Sequence, residues 1–596
     1  MKKAFKKYVY IIYILLALIG STVNLDYNLP FRDSFNYNSI NIILVLMLFY
    51  LLHEKLSKRS KNSNFIISII IGSIISLLHV LGFGIYYYNS LDFIFYNFSC
   101  FLKFILKYCY YSFIYISFIN TLYEYISTKS FKSKEKDFKL LGSNRKDYLV
   151  RTIIIILFYL PYFLNEFPGI FTIDSVNEMN YSVTSLNNLV NHHPVFHIYL
   201  IALFIKIGFV FSKSINAGIA LYSVVQMLVC SFIFSYIISF LDEYKVNRMI
   251  KLIAFFFILL YPPFAAYSIT MWKDIPFALG MVLFVAQMIR VFTSKDYLKS
   301  KYNILKILLL SIIVVLFRNN GIYVIVISFI VYTIFNKANR KIFAFITLFI
   351  ITFYIVLKGP VFTLLNITDG PKREALSVPI QQIARTYKYK EQELSNHDKI
   401  IIHKYIKNKD IANNYYPLIS DNIKNTFDEK LFSKNKKDFI VLWAKLFVKY
   451  PQLYFESFFI GSMGYWYPEV DNWVIENWFD YKENNFLGYN KKPLAKIKLV
   501  DIIKKSTNER KIPIISLLFS IGFAFWILLL LLGYVLYTKN YSLIFVFVPL
   551  LVLWLTTTAS PVWCEYRYIY SLFTSMPLLL PITITLCSKR KRSKNE

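Results

Sequence analysis

Apolar runs of about 15–25 residues recur along most of this chain, and that is the length a helix needs to cross the hydrocarbon core of a bilayer. Of its 596 residues, 56% are hydrophobic and 19% aromatic, more apolar surface than a soluble domain hides. The expected fold class is therefore an all-α polytopic membrane protein. The formal charge of +32 resembles a nucleic-acid signature. Its placement argues otherwise, because the Lys and Arg residues crowd short loops between apolar runs, where they fix orientation; no nucleic-acid partner is expected. Cys100, Cys109, Cys230, Cys564 and Cys587 lie in or beside the runs and have neither metal nor disulfide spacing.

The runs thread the membrane in a definite order. Early spans are expected at about 8–24, 39–53, 65–88 and 92–124, the first as a retained signal anchor behind Lys2, Lys3, Lys6 and Lys7, and a fifth at about 149–166. Basic loops at 54–64 and 125–151 fall inside if the N-terminus is cytoplasmic. The run at 194–211 is read as a helix along the outer surface, since counting it as a span would send Lys245, Arg248 and Lys251 outside. Further spans are expected at about 217–240, 250–270, 275–292, 303–317, 321–336, 342–360, 513–537, 541–559 and 568–587, about fourteen in all, ending inside with Lys589, Arg590 and Lys591. The chain divides into a four-span extension at 1–148, a transmembrane core at 149–360 with its first outer loop at 167–216, an extracytoplasmic helical domain at 361–511, and a three-span segment with a basic tail at 512–596. The expectation is a multi-pass protein of the cell membrane, with both termini cytoplasmic and the active site extracytoplasmic.

Charged residues gather where this threading puts span ends on the outer face. Asp174 and Glu178 follow the fifth span and lie four apart, on one face of any helix that starts there. Lys273 and Asp274 begin another span. Arg318 and Arg567 sit at span ends, where an unpaired charge is costly, and arginine presents a planar fork of donors to phosphate. His192 and His193 point about 100° apart on a helix, so one of them suffices for a site. Each has a plainer alternative: Asp174 and Asp274 as helix caps, Lys273 as a counter-ion, Glu565 as the partner of Arg567. The aromatic turn Gly464-Tyr465-Trp466-Tyr467-Pro468 reads as an interfacial anchor or a platform for a sugar or lipid. HEXXH, P-loop and Gly-rich dinucleotide motifs are missing from the sequence, so energy for any reaction comes with the substrate.

The order of these features resembles the GT-C glycosyltransferases, which include protein O-mannosyltransferases and lipid A aminoarabinose transferases. The resemblance rests on an outer-loop Asp174, a helix opening with His193-Pro194, Ala266-Tyr267-Ser268 before Lys273-Asp274, the turn Arg318-Asn319-Asn320-Gly321, and Glu565-Tyr566-Arg567-Tyr568 ahead of Pro577. Pro168-Gly169 and the stretch from Leu376 to Arg385 are also similar to a family of uncharacterised bacterial membrane proteins thought to share that fold. The resemblance covers about 150–590 and leaves out the first four spans. It implies transfer of a sugar from a polyprenyl-phosphate donor, held in the lipid bilayer, to a cell-envelope acceptor outside. Asp174 is the implied base, supported by Asp274 and Glu178. His192, His193, Lys273, Arg318, Asn319, Arg385, Glu565 and Arg567 are the implied substrate ligands. A divalent cation, if used, would fall on Asp174 and Asp274. Glu178 stands four residues after the acid rather than beside it, and His192-His193-Pro194 replaces the acid-Lys-Pro of aminoarabinose transferases. A transporter or flippase of a lipid-linked glycan, or a polysaccharide polymerase or ligase, is the alternative; a transporter would show polar residues near mid-bilayer.

Overall fold

The computed structural model describes residues 2–35, 64–131, 139–184, 186, 188–475, 488–561 and 564–589. The expected span at 39–53, the basic loop at 54–63 and the basic tail from 590 lie outside them. The longer helices are α1 (Lys2–Thr22), α2 (Phe65–Tyr88), α3 (Phe98–Thr128), α4 (Arg145–Asn165), α5 (Ile173–Thr184), α6 (Val195–Ser212), α7 (Ile215–Glu243), α8 (Arg248–Leu260), α9 (Pro262–Ser268), α10 (Asp274–Thr293), α11 (Lys301–Phe317), α12 (Gly321–Phe335) and α13 (Arg340–Val356). After them come α14 (Ser377–Lys390), α15 (Asn396–Tyr405), α16 (Lys436–Lys449), α17 (Pro451–Ser462), α18 (Lys498–Glu509), α19 (Ile521–Tyr537), α20 (Ile544–Ala559) and α21 (Tyr570–Lys589). The fold is all-α, with one two-residue parallel ribbon between β1 (Val190–Asn191) and β2 (Thr368–Asp369) among the described residues.

Nine helices among the described residues are long and apolar enough to cross a membrane, or ten if a bent pair counts as one span. The bent pair corrects the expected continuous span at 250–270. α8 and α9 meet at Tyr261-Pro262 and bend by 53°, because Pro262 has no N–H for the helix ladder and favours a first-turn position. Two of the candidate spans, the one from Asp274 to Thr293 and the one from Tyr566 to Ser588, bury 78% of the residues in their most apolar stretch and form the centre of the bundle. Both carry polar residues at their first turn. The central helices therefore deliver charges to one place.

The run at 194–211, expected as a helix along the outer surface, is helical. It is α6, which passes the length and apolarity test for a span and folds back along α7 as an antiparallel hairpin. Lipid offers apolar side chains little reason to leave it, so such pairs rest on close packing of small residues. A Cβ on Gly208 would lie 2.1 Å from the backbone nitrogen of Gly218. Ser223 of α7 meets Gly169, just past the end of α4, so the hairpin tip projects beyond that end. Phe209, Val210 and Phe211 stay exposed there, the last at 85%.

Residues 376–454 fold around a second core, including Ile380, Ile383, Tyr405, Phe427, Phe439 and Tyr454. The expected helical spacing at 374–393 is realised as α14, and the apolar stretch broken at Pro451 as α16 and α17. β1–β2, the Ser560 Oγ bond to the Glu374 carbonyl at 3.3 Å, and the N-terminal helices tie this outer unit to the bundle. The aromatic turn at 464–468, expected as an interfacial anchor or a platform, is packed into the bundle, with Tyr465 on the wall of the charge-lined cavity. Tyr465, Trp466 and Tyr467 are buried, and the Trp554 and Trp526 indoles donate to the Tyr465 and Trp466 carbonyls, each at 2.9 Å.

Candidate functional site

A single cavity of about 960 Å³ lies between the helix ends of the bundle and the outer unit. Asp174, His192, His193, Lys273, Asp274, Arg318, Asn319, Glu565 and Arg567 all line it. They come from far apart in sequence because each sits at a helix end that converges there: Asp174 in the first turn of α5, the histidines before α6, Lys273 and Asp274 opening α10, Arg318 and Asn319 between α11 and α12, Glu565 and Arg567 before α21.

At the centre is Asp174. Its Oδ2 accepts from Lys273 Nζ at 2.9 Å and from Arg567 Nη1. Arg567 also donates to Glu565, and its guanidinium lies 4.9 Å from the ring centres of both Trp272 and Tyr568. Burial alone would raise the Asp174 carboxyl, but Arg567 and then Lys273 outweigh it and hold it well below the usual carboxylate range. Glu565 goes the other way: burial pushes its carboxyl up, Asp174 and Asp274 push with it, and Arg567 offsets only part. Burial works against the Lys273 ammonium, yet Asp174, Glu178 and Asp274 raise it overall. Burial, then Lys273, lowers His193 to about 4, so its ring is neutral, and its Nδ1 accepts from Lys273 Nζ at 2.9 Å.

Asp274 opens α10 but caps nothing. It is 1% exposed, neither carboxylate oxygen has a hydrogen-bond partner, and its contact is Arg318 Nε at 3.4 Å. Arg318 is held by the Tyr568 carbonyl at 2.6 Å and lies 5.5 Å from the Phe277 ring centre. Asn320 Oδ1, on the same cavity wall, is likewise buried without a partner. Buried acceptors of this kind call for a donor. Asn319 latches the loop before α6, donating to the Asn191 carbonyl at 3.1 Å and the His192 carbonyl at 3.3 Å.

Two expected site residues are elsewhere. Arg385 does not line the cavity. It is buried against Glu456, with Nη2–Oε2 at 2.7 Å and Nε–Oε2 at 3.0 Å, and it also donates to the Asn89 carbonyl at 2.7 Å. Its motif is thus a tie between α14, α17 and the N-terminal extension. Glu178 does not line the cavity either; it stands fully buried behind Lys273, 3.5 Å away. Among the described residues no three His, Cys, Asp or Glu side chains group as metal ligands, and Asp174 and Asp274 are committed to different cations, so the donor set does not fit a divalent ion.

Sequence reasoning missed His197, which is buried and bonded to Glu178 and to Tyr222. It stands four residues after His193, which would have paired the two on one helix face. The outer wall was missed as well: Lys424, bonded to Glu374 and Asp421 at 2.7 Å each, with Arg373, Asp369 and the half-exposed Trp473.

The bundle and its cavity define an all-α protein of membrane type with a polar, charge-lined pocket at its helix ends. The chain belongs to a family of unknown function, DUF6020, whose model matches residues 183–596. That stretch takes in the cavity residues from His192 to Arg567 and begins after Asp174 and Glu178. No curated protein and no solved structure matches the chain.

Proposed function

We propose that the protein is a membrane glycosyltransferase of GT-C type that moves a sugar from a polyprenyl-phosphate donor to an acceptor hydroxyl on the outer face of the cell membrane. The supporting observation is one carboxylate, Asp174, held between Lys273 and Arg567 in a cavity at the helix ends. A cavity of about 960 Å³ suits a sugar phosphate and an acceptor group together. The prenyl chain stays in lipid, while its phosphate meets Arg567, Lys273 and Arg318.

The resting pocket explains how a base this acidic acts. While both cations hold it, Asp174 is a poor proton acceptor. A phosphate competes for Lys273 and Arg567, draws them off, and raises the basicity of the carboxylate it frees. The acceptor oxygen then attacks the anomeric carbon, the carbon–oxygen bond to phosphate breaks, and the phosphate leaves with the electron pair. The hydroxyl proton passes to Asp174. A cationic cradle stabilises the departing charge, and attack from the face opposite the phosphate inverts the sugar carbon. The proposed orientation puts both termini in the cytoplasm and the outer unit outside, and about fourteen spans remains the proposed count.

The test is transfer from a prenyl-phosphate sugar in proteoliposomes. Asp174→Asn loses about 10²–10⁴-fold in rate if Asp174 is the positioned base. An unchanged rate removes it from that role, and movement of donor across the bilayer without a new glycosidic bond replaces the transferase reading with that of a flippase.

A further inference from the structure

Behind the cavity runs a chain of buried groups that the transfer step does not touch: Glu178, His197, Tyr222 and Gln226. Its hydrogen atoms can be assigned from one end. The Gln226 amide nitrogen donates to the carbonyls of Tyr267 at 3.1 Å, Ser268 at 3.2 Å and Thr270 at 2.8 Å. Flipping that amide would set its oxygen against carbonyl oxygens, so the orientation is fixed. Gln226 Oε1 therefore accepts, and it accepts from the Tyr222 hydroxyl at 2.9 Å. That uses the only hydrogen Tyr222 has. The Tyr222 oxygen, 2.8 Å from His197 Nε2, must then be the acceptor, so Nε2 carries a hydrogen. On the other side of the ring, Nδ1 faces Glu178 Oε2, and an ionised carboxylate only accepts. Glu178 Oε1 faces the Lys273 ammonium at 3.5 Å, and although burial pushes the carboxyl up, its neighbours bring it below the usual range, so it is ionised.

We propose that His197 is a positioning residue: by donating from both ring nitrogens it balances the Glu178 carboxylate, and so leaves the Lys273 ammonium to Asp174 and to an incoming anion. The Lys273 contacts agree. Asp174 Oδ2 and His193 Nδ1 are both 2.9 Å away, whereas Glu178 Oε1 is at 3.5 Å. Glu178, although fully buried, is the weakest of the three, because its charge is already met from behind. Without the imidazole donors, Glu178 would be a bare buried charge with Lys273 as its nearest cation. Lys273 would swing back to it, leaving Asp174 to Arg567 alone. The link from His197 to an anion in the cavity rests on the transferase reading; the hydrogen-bond pattern of His197 does not.

The experiment uses the full chain in nanodiscs with ¹⁵N-labelled histidine, His197→Gln identifying the signal. Both His197 ring nitrogens are expected to carry hydrogens, as the bonds to Glu178 and Tyr222 require, and Tyr222→Phe, which removes the Nε2 acceptor at nearly constant volume, is expected to move one of the two signals. A bare ring nitrogen at position 197 overturns the proposal. Farnesyl phosphate is the second probe. His197→Gln, folded as judged by its thermal transition, is expected to bind it about 10- to 100-fold more weakly, by analogy with the outer partners that orient metal ligands. Binding equal to wild type overturns the positioning role. If wild type itself binds no farnesyl phosphate, the transferase reading fails, and the ring-nitrogen signals still decide the role of His197.

Discussion

Arg567→Met isolates the charge at the centre of the cavity. Arg567 is shared by Asp174 and Glu565, with side-chain exposures of 9% for the arginine, 23% for Asp174 and 19% for Glu565. Methionine keeps much of the packing against Trp272 and Tyr568 but removes the fork of donors. Breaking a buried ion pair from one side costs roughly 3–5 kcal/mol, because the partner is left charged and unpaired. Asp174 retains Lys273 at 2.9 Å and faces a wet cavity, which places the loss near the bottom of that range, about 3 kcal/mol at pH 8. At ~1.4 kcal/mol per decade that is about two decades in the folding equilibrium. The pH dependence carries the diagnosis. In wild type the Asp174 carboxyl is depressed, so its stabilisation is present above the unfolded-state value and is lost as pH falls through the folded one. In the variant Glu565, already raised by burial, loses the group that restrained it. A carboxyl whose folded value lies above its unfolded value makes the folded state take up protons, so stability rises as pH falls. Unfolding in mixed micelles, followed by tryptophan fluorescence, should show the full deficit at pH 8 and a smaller one at pH 5. A deficit equal at both pH values, or none, refutes the shared-charge account.

Three further outcomes are expected. Asp274→Asn should leave unfolding within about 1 kcal/mol of wild type, since losing the Arg318 contact at 3.4 Å is offset by removing a buried charge that accepts no hydrogen bond, and Arg318 keeps the Tyr568 carbonyl at 2.6 Å, while transfer falls at least tenfold; a large loss of stability would mean the carboxylate is structural. Arg385→Met should cost about 3 kcal/mol through the abandoned Glu456, with the KM for donor unchanged in the folded fraction, as read by denaturation and initial rates. Since the five native cysteines are buried, a cysteine at exposed Gln392 should react with a membrane-impermeant maleimide on intact cells, and one at exposed Ala338 only after lysis; the reverse pattern inverts the proposed sidedness.

Much of this architecture was legible from hydropathy, for a physical reason: a span must be continuously apolar, and the run at 65–88 coincides with α2. Charges at the ends of such runs were legible too, because a charge beside an apolar run stands out, and nine of the eleven expected site residues line one cavity. Pairings across long separations were hidden. Arg385 resembled a ligand until Glu456, distant in sequence and carried on α17, was seen to hold it. His197 escaped notice inside Val195-Phe196-His197-Ile198-Tyr199-Leu200, where it looked like one polar residue in an apolar helix. Its partners Glu178 and Tyr222 become visible only when α5, α6 and α7 pack together. Lys424 was one lysine among many in a polar segment, and only burial singles it out.

The bond from the Leu91 backbone to Glu456 spans 365 residues of chain. At roughly 5–20 residues per second a ribosome needs on the order of 20–70 s to travel from one partner to the other. Ser90 and Leu91 are thus made early, and their donors meet Glu456 only once α17 emerges. Maturation of the N-terminal helices is timed by a late arrival, and a nascent chain halted before α17 would present quality-control proteases with an unfinished seam.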